Sequence, residues 1–159
     1  MTARYPLVIN STTIEEIQSG DTYNLYANTV ANGFNEAITV TAAAPSSTTN
    51  FDVATQSIQY YTSNTANNWT LNIRGNSGTS LNTLMATGQT VTVTVIVTNS
   101  STAYYNSAVT IDGNAVTPKW QGGTAPTSGN TSACDIYSYA IVKTGSATFT
   151  VFASVTKFA

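Results

Sequence analysis

Apolar and polar residues alternate along most of the chain, which predicts short β-strands that each bury one face. The clearest run covers residues 90–98 (TVTVTVIVT), where four valines share one face and the threonines lie largely on the other. Residues 69–74 (WTLNIR) and two closing stretches, 135–143 and 147–158, repeat the alternation. The pattern predicts about nine to eleven strands and one helical turn at residues 81–85. Such a series indicates an all-β fold, an antiparallel β-sandwich or a jelly roll.

Turn residues mark the boundaries between the predicted strands. Residues 112–114 (Asp-Gly-Asn) fit a tight hairpin turn, whose central residues need positive φ. Residues 51–61 change the parity of their apolar positions, which indicates two strands or one strand with a bulge. Residues 122–130 form a long loop rich in Gly, Pro, Ser and Thr. Trp120 stands just before this loop, and we expect its indole to pin the loop to the body by burying roughly 200 Å² of apolar surface.

The first 26 residues form a distinct opening unit. Its short apolar run consists of Tyr5, Pro6, Leu7, Val8 and Ile9. A proline near the start of such a run suits an edge strand or an arm. We therefore predict an extended N-terminal arm or small hairpin at residues 1–26, followed by a single β-sandwich domain at residues 27–159. Because a short arm cannot bury its apolar side chains alone, it is expected to dock on a neighbouring subunit or another protein, or to pack on its own domain.

The composition points to a folded, weakly charged protein. A chain of 159 residues can bury roughly 70% of its unfolded surface. Only 8% of the residues are charged, the net charge is −2 and the five Lys/Arg are scattered, so no electrostatic footprint for nucleic acid is expected. Instead the chain holds 30 Thr, 16 Ser and 16 Asn. Weakly charged surfaces repel each other little, which favours association between copies.

Targeting and redox signals are few. No stretch approaches 18 apolar residues, and the first residues lack the apolar core of a signal peptide, so neither membrane insertion nor export is expected. Cys134 is the single cysteine, which predicts a buried thiol rather than an intrachain disulfide. No cofactor motif occurs, since the glycine-rich stretch at residues 75–78 lacks the lysine of a phosphate-binding loop.

Catalytic chemistry finds little support in the sequence. Histidine, the commonest general base and metal ligand, is absent. Asp112 and Asp135 flank the loop after Trp120 and would have to lie roughly 5–10 Å apart to hydrolyse a glycoside. Asp112 lies in a turn and Asp135 begins a strand, and both positions favour turn or capping roles. We therefore predict a protein that is not an enzyme.

The aromatic residues are the more informative set, with nine Tyr and two Trp. Tyr60-Tyr61 and Tyr104-Tyr105 are adjacent pairs. Neighbours in a strand point to opposite faces, so one ring of each pair is expected to face the core and the other to face outward. Outward rings either cover a sheet face or serve as exposed contacts, stacking on sugars or anchoring an interface. Both interpretations stay open from the sequence.

Both ends of the chain carry a recognisable order of residues. Residues 111–159 read IDGNAVTPKWQGGTAPTSGNTSACDIYSYAIVKTGSATFTVFASVTKFA, and residues 4–25 read RYPLVINSTTIEEIQSGDTYNL. The first string resembles the C-terminal module of structural proteins of tailed bacteriophages, notably the tail-fibre-like proteins of marine phages and cyanophages. The second is similar to the start of related virion proteins. The resemblance implies a β-structured, often oligomeric component of the virion, assembled in the host cytoplasm.

Together these observations predict a non-enzymatic phage virion structural protein, a tail-fibre, adaptor or capsid-decoration component. Its expected partners are other virion proteins and copies of itself, with a trimer as the first guess from the habit of virion proteins. The alternative is an adhesin module of a tail fibre that binds a host receptor or glycan through exposed Tyr and Trp side chains. Neither function requires a cofactor, nucleic acid or membrane insertion.

Overall fold

The computed structural model describes residues 35–159 and, further toward the N-terminus, two short strands. The chain divides into two compact units, Met1–Phe34 and Asn35–Ala159. In the first unit, β1 (Leu7–Asn10) and β2 (Thr13–Glu16) pair as an antiparallel hairpin with Ile9 opposite Ile14. Of the predicted arm residues, Leu7, Val8 and Ile9 lie in β1, whereas Tyr5 and Pro6 lie outside the described residues.

The second unit contains ten strands and one short helix, named here in chain order. They are β3 (Ile38–Thr41), β4 (Thr48–Asp52), β5 (Ile58–Asn64), β6 (Trp69–Arg74), α1 (Leu81–Leu84), β7 (Thr90–Thr98), β8 (Asn106–Ile111), β9 (Asn114–Val116), β10 (Lys119–Trp120), β11 (Cys134–Gly145) and β12 (Thr148–Phe158). A single 3₁₀ turn at Gln121–Gly123 follows β10. The parity change predicted within residues 51–61 corresponds to the end of β4 and the start of β5, which are two separate strands.

Two sheets form the body of this unit, which confirms the all-β sandwich. One has six strands in the order β10-β12-β11-β7-β5-β3, and the other has four in the order β4-β6-β8-β9. The inward faces of both sheets supply one core. Its fully buried large side chains include Phe51, Trp69, Leu71, Ile73, Val93, Val95, Val97, Tyr137, Tyr139 and Ile141. Trp69 and Tyr137 meet edge-to-face across the sandwich, with ring centroids 5.4 Å apart.

Strand directions differ from the antiparallel expectation in the first half of this unit. From β3 to β8 the chain alternates between the sheets, and neighbours within a sheet run parallel, as β3–β5, β5–β7, β4–β6 and β6–β8. The chain therefore winds as a flattened coil, and each strand of one sheet serves as the crossover between two parallel strands of the other. Alternation in the sequence specifies which side chains face inward, but it does not specify the partner strand, which is why this prediction was wrong here.

The closing half of the unit is antiparallel, apart from one short strand. β11 pairs with β7 on one side and with β12 on the other, both in antiparallel register. β8 and β9 form a hairpin whose central residues, Asp112 and Gly113, have φ of 51° and 81°. These positive values confirm the tight turn predicted from the Asp-Gly-Asn sequence. The short strand β10 adds to the free side of β12 in parallel and forms one edge of the six-stranded sheet.

Candidate functional site

The carboxylate of Asp112 is engaged by the backbone of α1. The amides of Leu81 and Asn82 donate to its two oxygens at 2.6 and 3.0 Å. At the other end of this helix, the buried Lys143 ammonium donates to the carbonyls of Asn82 and Met85 at 2.5 and 2.7 Å. An anion at the first turn and a cation at the last turn both complement the peptide dipoles. Asp112 is thus a helix cap as well as a turn residue.

The carboxylate of Asp135 is buried at the start of β11, with no solvent exposure. Its Oδ2 accepts from the side chain of Asn99 at 3.0 Å and from the amide of Asn130 at 2.9 Å. Its Oδ1 is buried and has no hydrogen-bond partner among the described residues. Loss of hydration raises the pKa of this carboxyl, and the bonds to Asn130 and Asn99 and the Lys157 charge offset part of that rise. Asp135 therefore ties the loop at residues 129–130 to the link after β7.

The two aspartates do not line a common cavity. Of the three main cavities in the described part of the chain, one is lined by Asp112 and none by Asp135. Within residues 35–159 and the two N-terminal strands, no cluster of three or more acidic, cysteine or histidine side chains could hold a metal ion. In the same described part, no helix is long and apolar enough to cross a membrane.

The paired tyrosines occupy three different environments. Tyr61 faces the core and is only 7% exposed, so its proposed role as an exposed contact is wrong. Tyr60 lies on the outer face of the six-stranded sheet and is half-buried, because neighbours in β5 point to opposite faces. Tyr104 and Tyr105 lie in the link before β8, where strand alternation does not apply, and both are half-buried. Tyr105 packs against the core.

Two strand edges of the parallel coil, both at one end, have no neighbouring strand among the described residues. β3 ends the six-stranded sheet and β4 ends the four-stranded sheet. The short link at residues 42–47 joins them, so both edges belong to the same end of the coil. Residues 35–40 are all exposed, and the apolar side chains of Ile38 and Val40 are 49% and 60% exposed. We call this feature the open end.

An apolar row leads from the open end across the outer face of the six-stranded sheet. Val40 is in register with Tyr60, Tyr60 with Ile96, and Ile96 with Ile136, on four successive strands. Next to it, Ile38 is in register with Ile58. The outer face along this row is therefore apolar, in contrast to the hydroxyl-rich outer face further along β7.

A groove of about 420 Å³ lies on the opposite side of the same outer face, beside β10. Its lining residues are Thr92, Lys119, Trp120, Gln121, Ser138, Ala140, Phe152, Ala153 and Ser154. Phe152 is 49% exposed, and the Lys119 ammonium lies 5.7 Å from its ring centroid. The Trp120 ring packs edge-on against Tyr139 in the core at 6.1 Å, which fixes β10 and the turn after it against the body. We call this feature the aromatic groove.

Sequence reasoning pointed to Trp120 but missed Lys119 and Phe152. These two residues are 33 positions apart (152 − 119) and meet because β10 pairs in parallel with β12, where they are in register. A strand of two residues is too short to show a periodic sequence pattern, so its parallel pairing cannot be predicted from the sequence. The one available signal for the groove was Phe152 itself. It is a large aromatic residue at an outward position of an alternating strand, since its neighbours Val151 and Ala153 face the core. Comparison with family models, curated proteins and solved structures yields no match.

Proposed function

We propose that this chain is a non-enzymatic structural protein of a phage virion, which acts through contacts with its own copies and with other virion proteins. The assignment to a virion is supported by the resemblance of residues 4–25 and 111–159 to phage structural proteins. The assembly role is supported by one structural observation, the open end, where two strand edges lie together with the exposed apolar side chains of Ile38 and Val40.

Exposed strand edges are sites of intermolecular pairing unless they are protected. Natural proteins usually protect them with lysine, proline or a bulge. β3 (ITVT) has no such residue, and its outward side chains are Ile38 and Val40. In β4 (TTNFD) the single charge, on Asp52, is paired with Arg74 of the neighbouring strand. Within the two strands themselves, no lysine, proline or bulge protects either edge.

A second copy of this chain fits the open end by a simple symmetry. A two-fold axis perpendicular to the sheets would place β3 antiparallel to the β3 of the partner and would extend the six-stranded sheet across the interface. The same operation brings the two β4 edges side by side. The Ile38 and Val40 side chains would then stand beside those of the partner on one continuous outer face, and the apolar surface that they lose to this lateral contact favours pairing. We therefore propose a two-fold contact in place of the trimer that was expected by analogy with other virion proteins.

Replacing Val40 with lysine tests this contact. Light scattering on the eluting wild-type protein should give twice the 16.7 kDa chain mass, and Val40→Lys should give the mass of one chain. Because Val40 is 60% exposed, the substitution leaves the core intact. The matched control is Thr156→Lys, which adds the same charge to an exposed position on β12. A wild-type protein that stays a single chain at high concentration, or equal masses for the two variants, contradicts the proposal.

A receptor- or glycan-binding module is the second candidate, and the aromatic groove is the observation that favours it. The groove and the open end lie toward opposite edges of the six-stranded sheet, β10 and β3. Assembly through one edge therefore leaves the other edge exposed for a ligand.

A further inference from the structure

The aromatic groove carries a single charge, and that charge is positive. Lys119 is the only ionisable side chain among its lining residues, which include no Asp or Glu. Among the described residues, the one ion pair joins Arg74 and Asp52, so the Lys119 ammonium has no carboxylate partner there. The groove therefore carries a charge opposite in sign to the net charge of the chain, which is −2. A cleft with one sign of charge concentrates ligands of the opposite sign.

The walls and floor of the groove suit a ring with one apolar face and a polar rim. Phe152 offers a half-exposed aromatic face beside Lys119, whereas the Trp120 ring is turned toward Tyr139 in the core. The floor is made of small side chains, because Ser138 is in register with Ser154, and Ala140 with Thr92. Serine and threonine hydroxyls both donate and accept hydrogen bonds. The volume of about 420 Å³ lies within the range of roughly 300–1,000 Å³ typical of small-ligand sites.

We propose that the aromatic groove binds a pyranose ring bearing a carboxylate, as in the hexuronates of acidic polysaccharides. The apolar C–H face of the sugar stacks on Phe152, its hydroxyls bond to Ser138 and Ser154, and its carboxylate pairs with Lys119. A purely apolar ligand would bury the hydroxyls of the floor without partners, which is unfavourable. A neutral sugar would leave the ammonium unpaired. This site rests on the second candidate function, glycan binding at the aromatic groove, and is independent of the two-fold contact at β3, so either proposal can fail alone.

A pair of probes that differ only in the carboxylate tests the site. Methyl β-glucuronide and methyl β-glucoside are titrated separately into the full chain, and amide chemical shifts are followed by NMR. The glucuronide should shift the amides of Ser138, Ser154 and Gln121, which line the groove. The glucoside should bind about tenfold more weakly, because it lacks the charge-assisted contact to Lys119. The preference should shrink as salt is raised, since the ion pair is solvent-exposed.

Two variants and one control assign the contacts. Phe152→Ala should weaken glucuronide binding about tenfold by removing the stacking face. Phe158→Ala is the matched control, because this side chain is equally exposed, at 49%, on the same strand and outside the groove. Lys119→Gln should bring the affinities for the two sugars together while the fold is retained.

The proposal is overturned by equal wild-type affinity for both sugars, by unchanged binding in Phe152→Ala, or by no shift at the highest soluble glucuronide concentration. Light scattering on the same samples separates this result from the assembly proposal, because none of these substitutions lies on β3 or β4.

Discussion

At the scale of single residues, Asp135 shows how a charge can be buried in a sandwich that has few charges. Its carboxylate accepts two hydrogen bonds through Oδ2, from Asn99 and Asn130, while Oδ1 has no partner in the described part of the chain. Gly129 stands directly against it, and a Cβ there would lie 2.4 Å from the carbonyl of Tyr104 and 2.9 Å from Asp135 Oδ2. Close packing thus excludes a larger residue at position 129 and keeps the carboxylate dry.

Asp135→Asn should remove a pH dependence from the stability. Loss of hydration raises the pKa of this carboxyl in the folded protein, so the folded state holds the proton more tightly than the unfolded state does. The stability that this proton gives is complete below the ordinary Asp pKa of about 3.9 and is lost as pH rises through the raised value. The free energy of unfolding of Asp135→Asn relative to wild type should therefore increase from pH 4 toward neutral pH. Urea unfolding of both proteins measures it, and a difference that is constant with pH would refute the assignment.

The paired tyrosines show what a residue pattern can and cannot specify. Alternation correctly predicts that Tyr60 and Tyr61 point to opposite faces, since both lie in the regular strand β5. The same rule fails for Tyr104 and Tyr105, because they lie in a link whose path is set by tertiary hydrogen bonds. One of these bonds runs from the Tyr105 amide to the side chain of Asn68, which is distant in sequence. Which aromatic rings are exposed therefore depends on contacts that the sequence does not reveal.

At the scale of elements, α1 is a four-residue helix that would not form by itself. Ser80 caps its start, with its hydroxyl accepting from the Thr83 amide at 3.0 Å. Asp112 from the β8–β9 turn and Lys143 from β11 bind its two ends, so strands of both sheets hold it in place. The helical turn was predicted from residues 81–85, but its two charged partners are roughly 30 and 60 positions further along the chain.

Lys143→Met should destabilise the fold by about 2 kcal/mol, because the carbonyls of Asn82 and Met85 lose a charged donor in a buried setting. Methionine keeps most of the side-chain length, so little packing is lost. Lys119→Met serves as the control, since its ammonium is exposed and its removal should change stability by less than about 0.5 kcal/mol. Urea unfolding gives both values. Equal losses in the two variants would mean that Lys143 does not hold α1.

Strand positions were easier to predict than strand partners. β7 and β6 have the predicted bounds, because apolar residues recur at every second position along both strands. The closing strands lie within a few residues of prediction for the same reason. The parallel coil from β3 to β8 was missed, because a short link serves equally well for a hairpin within one sheet and for a crossing between sheets. The open end and the aromatic groove both follow from these pairings, so neither could be located from the sequence.

At the scale of the whole molecule, the second unit has two different ends. Toward β3 and β4 the parallel coil stops at two strand edges that no other described strand pairs with. Toward β11 and β12 the long antiparallel hairpin closes the six-stranded sheet, and β10 covers its last edge with two residues. One end is thus suited to adding further strands and the other to presenting a surface. The proposed two-fold contact lies at the first of these ends, and the proposed sugar site lies at the second.

Deleting residues 1–18 should leave the second unit folded and prevent its incorporation into particles. Every described core residue lies between Phe51 and Ala153, so the deletion removes none of them, and cooperative thermal unfolding should persist with a similar midpoint. The deleted residues include both strands of the β1–β2 hairpin, and an isolated two-stranded hairpin is marginally stable and needs a partner surface. If that surface belongs to another virion protein, purified particles should contain the full chain but not the truncated one. Truncated protein present in particles at the full-length copy number would show that residues 1–18 are not an assembly element.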